Sequence, residues 1–232
     1  PEPSGGSYML HQSTTGITLG PIEGQELSPQ PLSVHSGTTF DGFNYDDNST
    51  ETGWSFIPPD PMGAAGTDHL IAVTNVMIES RDKSGTLLWR DSLKDFFNSG
   101  LSGETEGTYT FDPKVVWDHY QNRFVVVTLE RVHAGTNPNA GNKSLILIAV
   151  SKTATPATAT SADWYYHAID SEESIGGVDH WMDYPGFEVD EEAVYITGNM
   201  FAHTGGTTNY RSRLWIVDKG VSGGFYGGGV AS

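Results

Sequence analysis

Three segments of the chain repeat one pattern, and this repetition constrains the fold more than any other feature. Each segment has an Asp and a Pro, a first predicted strand, a tight turn and a stronger second strand. The segments are residues 59–75, 111–128 and 182–199. Two further predicted strands follow each segment, which makes roughly four strands per unit of about 50 to 70 residues. An all-β fold of the β-propeller type is therefore predicted, with about three to four four-stranded blades, a partial ring.

The predicted strands are short runs of β-branched and aromatic residues separated by turn residues. The clearest are residues 70–74, 77–81, 86–89, 114–117, 124–129, 145–150, 164–168, 186–189, 194–197 and 214–217. Only residues 92–98 suggest a helical turn. Strand number and spacing alone also fit a sandwich or a barrel. The internal repeat is the feature that favours a propeller over these two folds.

Composition divides the chain into three parts. Residues 1–52 are polar and rich in Ser, Thr, Gly and Pro, which predicts an extended arm or a disordered leader. Residues 53–219 hold the blades, and residues 220–232 form a Gly-rich tail or linker. Because complete propellers have about four to eight blades, we expect the chain to be a fragment. A second chain or a symmetry-related copy would then complete the ring.

The charge balance restricts the partners. The chain has 29 acidic and 12 basic residues, for a net charge of -17, and such a surface repels nucleic acid and anionic membranes. It contains no cysteine, which excludes disulfides and thiolate chemistry. No apolar run approaches the roughly 18 residues of a membrane span, so membrane insertion is not expected. Divalent cations, neutral glycans and proteins remain as partners.

The three repeated Asp residues are the first candidate site. The first strand of a propeller blade lines the central channel, so Asp60, Asp112 and Asp183 are expected to converge at the channel mouth. Three interpretations stay open. Each Asp caps its own turn, or together they bind Ca²⁺ through carboxylate oxygens, or two of them act as acid and base on a glycosidic bond.

The residues around the third Asp are the candidate ligand-binding residues. His180 and Trp181 precede Asp183, and Tyr184 follows it. Aromatic rings can stack on sugars, although Trp and Tyr also fill propeller cores. None of the eight histidines forms a recognised metal-binding motif, so a structural role for His180 is the alternative.

The motifs resemble those of a group of secreted bacterial β-propeller proteins. That group carries a PPDxxGxxG segment, a DPxxxxD segment and a DYP segment, which match residues 58–66, 112–118 and 183–185. The resemblance implies an exported, cell-surface or secreted bacterial protein more than it implies a chemistry. A second similarity, through residues 111–115, is to five-bladed furanosidase-type glycosidases; for the general acid that these enzymes need, Glu130 and Glu188 are the nearest candidates.

These patterns favour an exported, non-catalytic propeller module that binds glycan or protein and is stabilised by calcium. Two alternatives are a glycoside-hydrolase-like enzyme that uses the channel-mouth carboxylates and a structural subunit of an extracellular assembly.

Overall fold

Three four-stranded antiparallel sheets follow one another along the chain and form a partial β-propeller. The computed structural model describes residues 37, 39–53, 55–102, 110–204, 211–220 and 223–229. Blade 1 consists of β1 (Met62–Ala65), β2 (His69–Thr74), β3 (Met77–Asp82) and β4 (Leu87–Ser92). Blade 2 consists of β5 (Thr110–Asp118), β6 (Arg123–Val132), β7 (Lys143–Ser151) and β8 (Trp164–Asp170). These sheets confirm the predicted fold class.

Blade 3 differs from the other two blades in its strand order. It contains β9 (Glu173–Ile175), β10 (Val178–Val189), β11 (Ala193–Ala202) and β12 (Arg211–Asp218). The short strand β9 pairs with the beginning of β10, so the order is β12-β11-β10-β9. Strand β5 contacts both β1 and β10, as innermost strands of neighbouring blades do. Strands β10, β11 and β12 therefore correspond to β5, β6 and β7 of blade 2.

Blade 2 is central, and its sequence reflects this position. Strands β6 and β7 are near-continuous apolar runs because both faces of their sheet are buried. Val125, Val127 and Leu129 pack in one apolar cluster with residues of blade 3. Their neighbours Phe124 and Val126 pack in a second cluster with residues of blade 1. Alternate side chains point to opposite faces of a strand, so one run of sequence supplies both joints between blades.

The helix α2 (Leu93–Leu101) follows β4 and connects blades 1 and 2. Ser92 is its N-cap, and its hydroxyl accepts a hydrogen bond from the Asp95 N–H at 3.0 Å. The Phe96 ring lies 5.0 Å from the Trp164 ring of β8 in an edge-to-face contact. The helical turn predicted over residues 92–98 is thus present, and it continues to Leu101. This is also the longest helix described, and none of the described helices is long and apolar enough to cross a membrane.

The end of the predicted arm is a helix, α1 (Tyr45–Thr52), and not an extended segment. This helix packs against β4 within the same compact unit as the blades. Its N-cap Asn44 forms a capping box with Asp47, in which each side chain binds the other residue's N–H. Residues 1–36, the remainder of the arm, lie outside the described residues.

The Gly-rich tail is folded where the structure describes it, although the composition predicts a flexible linker. A 3-10 helix, Phe225–Gly227, buries both Phe225 and Tyr226. The Tyr226 hydroxyl donates to Asp118 at 2.7 Å, and the Lys219 ammonium lies 2.6 Å from the same carboxylate. Asp118, the last residue of β5, is fully buried, so these contacts fix the tail against blade 2.

Candidate functional site at the ends of the inner strands

A strained residue followed by Pro stands near the start of the fully paired part of each inner strand. Asp60, Asp112 and Tyr184 have φ values of 44°, 50° and 54°, in the left-handed region that non-glycine residues rarely adopt. Asp112 lies in the irregularity between the pairs Phe111–Leu129 and Lys114–Val127. Tyr184 lies in the matching irregularity of β10. Strain of this kind clusters at functional sites and is a reason to look there.

This equivalence corrects the alignment of the three repeats. The sequence pattern predicts that Asp183 is the third member of the series, but Tyr184 occupies that position. Asp183 lies one residue earlier, where blade 2 has Phe111. A β-bulge adds a residue to one strand only, so the motif Asp-Tyr-Pro resembles Asp-Pro while its Asp is shifted by one position.

Hydrogen bonds through Asn75 link two of the three Asp residues. The Asn75 side-chain amide donates to the Asp60 carboxylate within blade 1 at 3.0 Å, and the Asn75 side-chain oxygen accepts from the Asp112 N–H of blade 2 at 2.8 Å. The Asp112 carboxylate then accepts from the Tyr184 N–H at 3.0 Å. One chain of contacts therefore runs from blade 1 through blade 2 to blade 3, and each of the two carboxylates accepts a hydrogen bond from the protein.

Asn75 was not among the residues selected from the sequence. It lies in the turn between β2 and β3 and is buried, and its amide also donates to the Pro58 carbonyl at 2.8 Å. By strand register the matching positions are Leu129 on β6 and Asn199 on β11, so the Asn recurs in blade 3 but not in blade 2, and this incomplete repeat was not read as the sign of a site.

Asp183 differs from the other two Asp residues because its neighbour is another carboxyl group. Burial raises the pKa of Asp183 to about 6, and the charge of Asp112 and a hydrogen bond with its side chain act in the same direction. The two carboxyl groups thus form a close pair, in which Asp183 takes up a proton in weakly acidic solution. The Asp183 side chain remains partly exposed.

The Tyr184 ring projects into solvent next to this carboxyl pair. Tyr184 is 68% exposed, which is unusual for an aromatic residue on an inner strand. The Lys114 ammonium lies 5.3 Å from the centre of its ring, which restrains the side chain. The site therefore combines one exposed aromatic ring with two neighbouring carboxyl groups, those of Asp112 and Asp183.

Trp181 and His180 are placed less favourably for a ligand. The guanidinium of Arg131 lies 4.1 Å from the centre of the Trp181 ring, and Phe111 and Phe201 pack against the same ring. His180 is buried, and its Nδ1 lies 2.7 Å from the Val178 carbonyl oxygen. Since side chains alternate along a strand, His180 faces away from Trp181 and Asp183. Of the three residues selected from the sequence, Tyr184 alone presents an open aromatic surface.

The candidate general acids lie in unsuitable positions. Glu130 is buried opposite Thr110. Glu188 is exposed but lies five residues beyond Asp183 on β10, which corresponds to roughly 16 Å at about 3.3 Å per residue. Neither carboxyl group can reach a substrate placed at Asp183 in the geometry that glycoside hydrolysis needs.

A second group of titratable residues lies near the beginning of β10. The His203 Nε2 and a Glu172 carboxylate oxygen are 3.6 Å apart. Burial lowers the pKa of His203 to about 4 and raises that of Glu172 to about 7, so both groups are mainly neutral between these values. In the described part of the chain, no three or more His, Cys, Asp or Glu residues are arranged to hold a metal ion.

The chain matches no family model and no curated protein. It is structurally similar to a mutant of the GH43 protein BlXynB from Bacillus licheniformis, with a TM-score of 0.33 and 12% sequence identity. The similarity covers 75% of this chain and 41% of that structure, so the chain spans less than half of the length of the protein it matches.

Proposed function

We propose that the chain is a non-catalytic β-propeller module that binds a neutral glycan at the end of the inner strands. The observation that carries this proposal is the exposed Tyr184 ring next to the Asp112–Asp183 carboxyl pair. The ring offers a flat apolar face for the C–H face of a sugar. The carboxyl groups offer acceptors, and in the protonated state one donor, for sugar hydroxyls.

The carboxyl separation supports binding rather than hydrolysis. Retaining glycosidases place their two carboxyl groups about 5 to 5.5 Å apart, and inverting enzymes about 6.5 to 9.5 Å. The charge and side chain of Asp112 both act on the pKa of Asp183, which indicates two carboxyl groups side by side rather than on opposite sides of a bound sugar. In addition, the Asp112 carboxylate is occupied by the Tyr184 N–H.

The predicted export to the bacterial surface and the predicted calcium ion are part of this proposal. A net charge of -17 favours solubility and the binding of cations. Calcium would relieve the repulsion between Asp112 and Asp183, with carbonyl oxygens and water completing its ligands. We expect added calcium to raise the melting temperature of chelator-treated protein; an unchanged melting curve would contradict the calcium proposal and leave the glycan proposal standing.

Titration of the protein against a panel of neutral polysaccharides, followed by calorimetry, tests glycan binding. Tyr184→Ala should weaken binding by about tenfold or more because it removes the stacking surface, or about 1.4 kcal/mol. Tyr45→Ala is the matched control, since Tyr45 is 59% exposed on α1. Equal affinity for wild type and Tyr184→Ala, or release of oligosaccharides by the wild type, would overturn the proposal.

A further inference from the structure

Asn75 lies in the two-residue turn between β2 and β3, and each of its hydrogen-bonding groups has a partner within the protein. Its side chain makes the three contacts described above. Its backbone N–H donates to the Pro59 carbonyl oxygen at 2.7 Å, and its own carbonyl oxygen accepts from the Asn48 amide of α1 at 3.0 Å. A buried polar side chain whose donors and acceptors are all used is fixed in one orientation.

The residue after Asn75 shows that this turn is held against the local preference of the chain. Val76 has a φ of 69°, and a β-branched residue at positive φ is a genuine outlier. Where the second residue of a turn has a positive φ, it is normally Gly or Asn. Val76 is buried, and its carbonyl oxygen accepts from the Leu93 N–H of α2 at 2.9 Å. Such strain persists only where surrounding contacts over-determine the backbone, so the contacts impose the position of Asn75.

The strained backbone of Asp112 depends on Asn75. The bulge in β5 places the Asp112 N–H where it donates to the Asn75 side chain, and Asp112 keeps a φ of 50° there. In this conformation the carboxylate reaches blade 3 and accepts from the Tyr184 N–H. If the bond from Asn75 is lost, Asp112 can return to an ordinary φ, and its carboxylate no longer points at Tyr184.

We propose that Asn75 is the positioning residue of the inner-strand site, because it holds Asp112 and, through Asp112, the backbone of Tyr184 in the arrangement that a ligand meets. The helix α1 takes part from outside the blades, since its buried Asn48 holds the Asn75 carbonyl group. The consequence for binding rests on the proposed glycan site, whereas the positioning itself is measurable without a ligand.

Amide hydrogen exchange of the Tyr184 N–H, followed by NMR, tests the positioning. This N–H donates to Asp112 and not to Asn75, so it reports a change that passes through Asp112. Asn75→Ala should accelerate its exchange by about tenfold or more, as expected for a lost hydrogen bond to a charged group. Ile71→Val is the control, because it weakens the core of blade 1 and leaves the hydrogen bonds of Asn75 in place. Wild-type exchange in Asn75→Ala, or equal acceleration in Ile71→Val, would overturn the proposal.

A milder pair of variants on α1 tests the part of the helix. Asn48→Asp keeps the size of the side chain but cannot donate to the Asn75 carbonyl oxygen, so the Tyr184 N–H should exchange at least about threefold faster. Ser49→Ala is the matched control on the exposed side of the same helix and should exchange like the wild type. Unchanged exchange in Asn48→Asp would overturn the role of α1.

Glycan affinity then separates the positioning from the proposed function. A neutral polysaccharide that binds the wild type should bind Asn75→Ala about tenfold more weakly, although buried Asn75 does not touch the ligand. A wild type that binds no glycan, together with faster exchange in Asn75→Ala, would refute the glycan proposal and support the positioning. Faster exchange with wild-type affinity would overturn the role of Asn75 in the binding site.

Discussion

Blades 1 and 3 each have one face that does not pack on blade 2, and the two faces are built differently. On blade 1 this face is ionic and covered: buried Glu79 binds Arg81 at 2.7 Å and Arg90 at 2.7 Å. The segment before β1 completes the contacts, since Asp47 of α1 lies 2.7 Å from Arg90. On blade 3 the corresponding face carries Leu214 and Ile216, exposed by more than half.

The aromatic residues of the covering segment strengthen this difference. Phe40 lies 5.7 Å from the guanidinium of Arg81, and Phe43 lies 5.3 Å from that of Arg90. Close packing also fixes Gly85, where a β-carbon would lie 2.5 Å from the Phe40 ring. On this face of blade 1 the charges are paired with each other and the segment before β1 covers them, so little apolar surface is left for contact with another sheet. The exposed Leu214 and Ile216 side chains of blade 3 would instead gain from being covered, because their burial removes apolar surface from water.

The largest expected effect on stability comes from disrupting the ion pairs on the covered face of blade 1. Glu79→Gln removes the charge that pairs with both Arg81 and Arg90, so two poorly exposed guanidinium groups lose their main partner. We expect the free energy of unfolding to fall by about 3 kcal/mol, as when one member of a buried ion pair is removed. Urea denaturation measures this change.

Glu188→Gln is the matched control for that experiment. Glu188 is an exposed acid on the outward face of blade 3, and its change should stay within about 0.5 kcal/mol. If Glu79→Gln and Glu188→Gln lowered the free energy of unfolding equally, the buried ion pairs of blade 1 would contribute no more to stability than an exposed acid does.

The second prediction compares the two blades at the ends of their inner strands. Asp60 of blade 1 receives a hydrogen bond from a neutral amide, whereas Asp183 of blade 3 lies against the Asp112 carboxyl group. Because the pKa of Asp183 is raised to about 6 in the folded state, the native protein binds an extra proton above the normal pKa of 3.8. The contribution of this group to stability therefore falls as pH rises from about 4 to 6.

Asp183→Asn should remove this loss. At pH 7 we expect the variant to be more stable than the wild type by about 1 to 2 kcal/mol, allowing for solvent screening of the partly exposed group. At pH 4 the two proteins should be equally stable. Asp190→Asn provides a control of opposite sign: a hydrogen bond from Tyr195 and the neighbouring backbone N–H groups lower the pKa of Asp190, so this substitution should destabilise at pH 7 and not at low pH. A wild-type-like pH profile for Asp183→Asn would refute the carboxyl pair.

The sequence was sufficient for the elements whose information is local. The hairpin of β3 and β4, the buried runs of β6 and β7, and the helix that begins after Ser92 follow from apolar patterns, turn residues and a cap. The predicted convergence of Asp60 and Asp112 on neighbouring inner strands also follows from the repeat. Asn75, which joins them, has a counterpart in Asn199 of blade 3 but none in blade 2, where Leu129 stands.

What the sequence missed depends on contacts between distant residues. The tail is fixed because Tyr226 meets Asp118, which lies 108 residues earlier in the chain. The shift from Asp183 to Tyr184 depends on a bulge whose position only strand pairing reveals. The helix α1 has a visible capping box, but its docking depends on Arg90 and on the bond from the Asn48 amide to the Asn75 carbonyl. Both partners, Arg90 and Asn75, lie outside the polar arm, so the composition of the arm could not indicate them.

The smallest expected effect on stability comes from a substitution on the exposed face of β12, and a substitution on its buried face provides the comparison. Ile216→Thr should change the free energy of unfolding by about 0.5 kcal/mol or less, because Ile216 is already 57% exposed and Thr keeps a β-branched side chain. Its neighbour Val217 faces the core at 3% exposure, and Val217→Ala should cost clearly more, about 1 to 3 kcal/mol. Urea unfolding measures both variants. A loss above about 1.5 kcal/mol for Ile216→Thr would mean that this face is already covered, and the contrast between the first and third blades would then disappear.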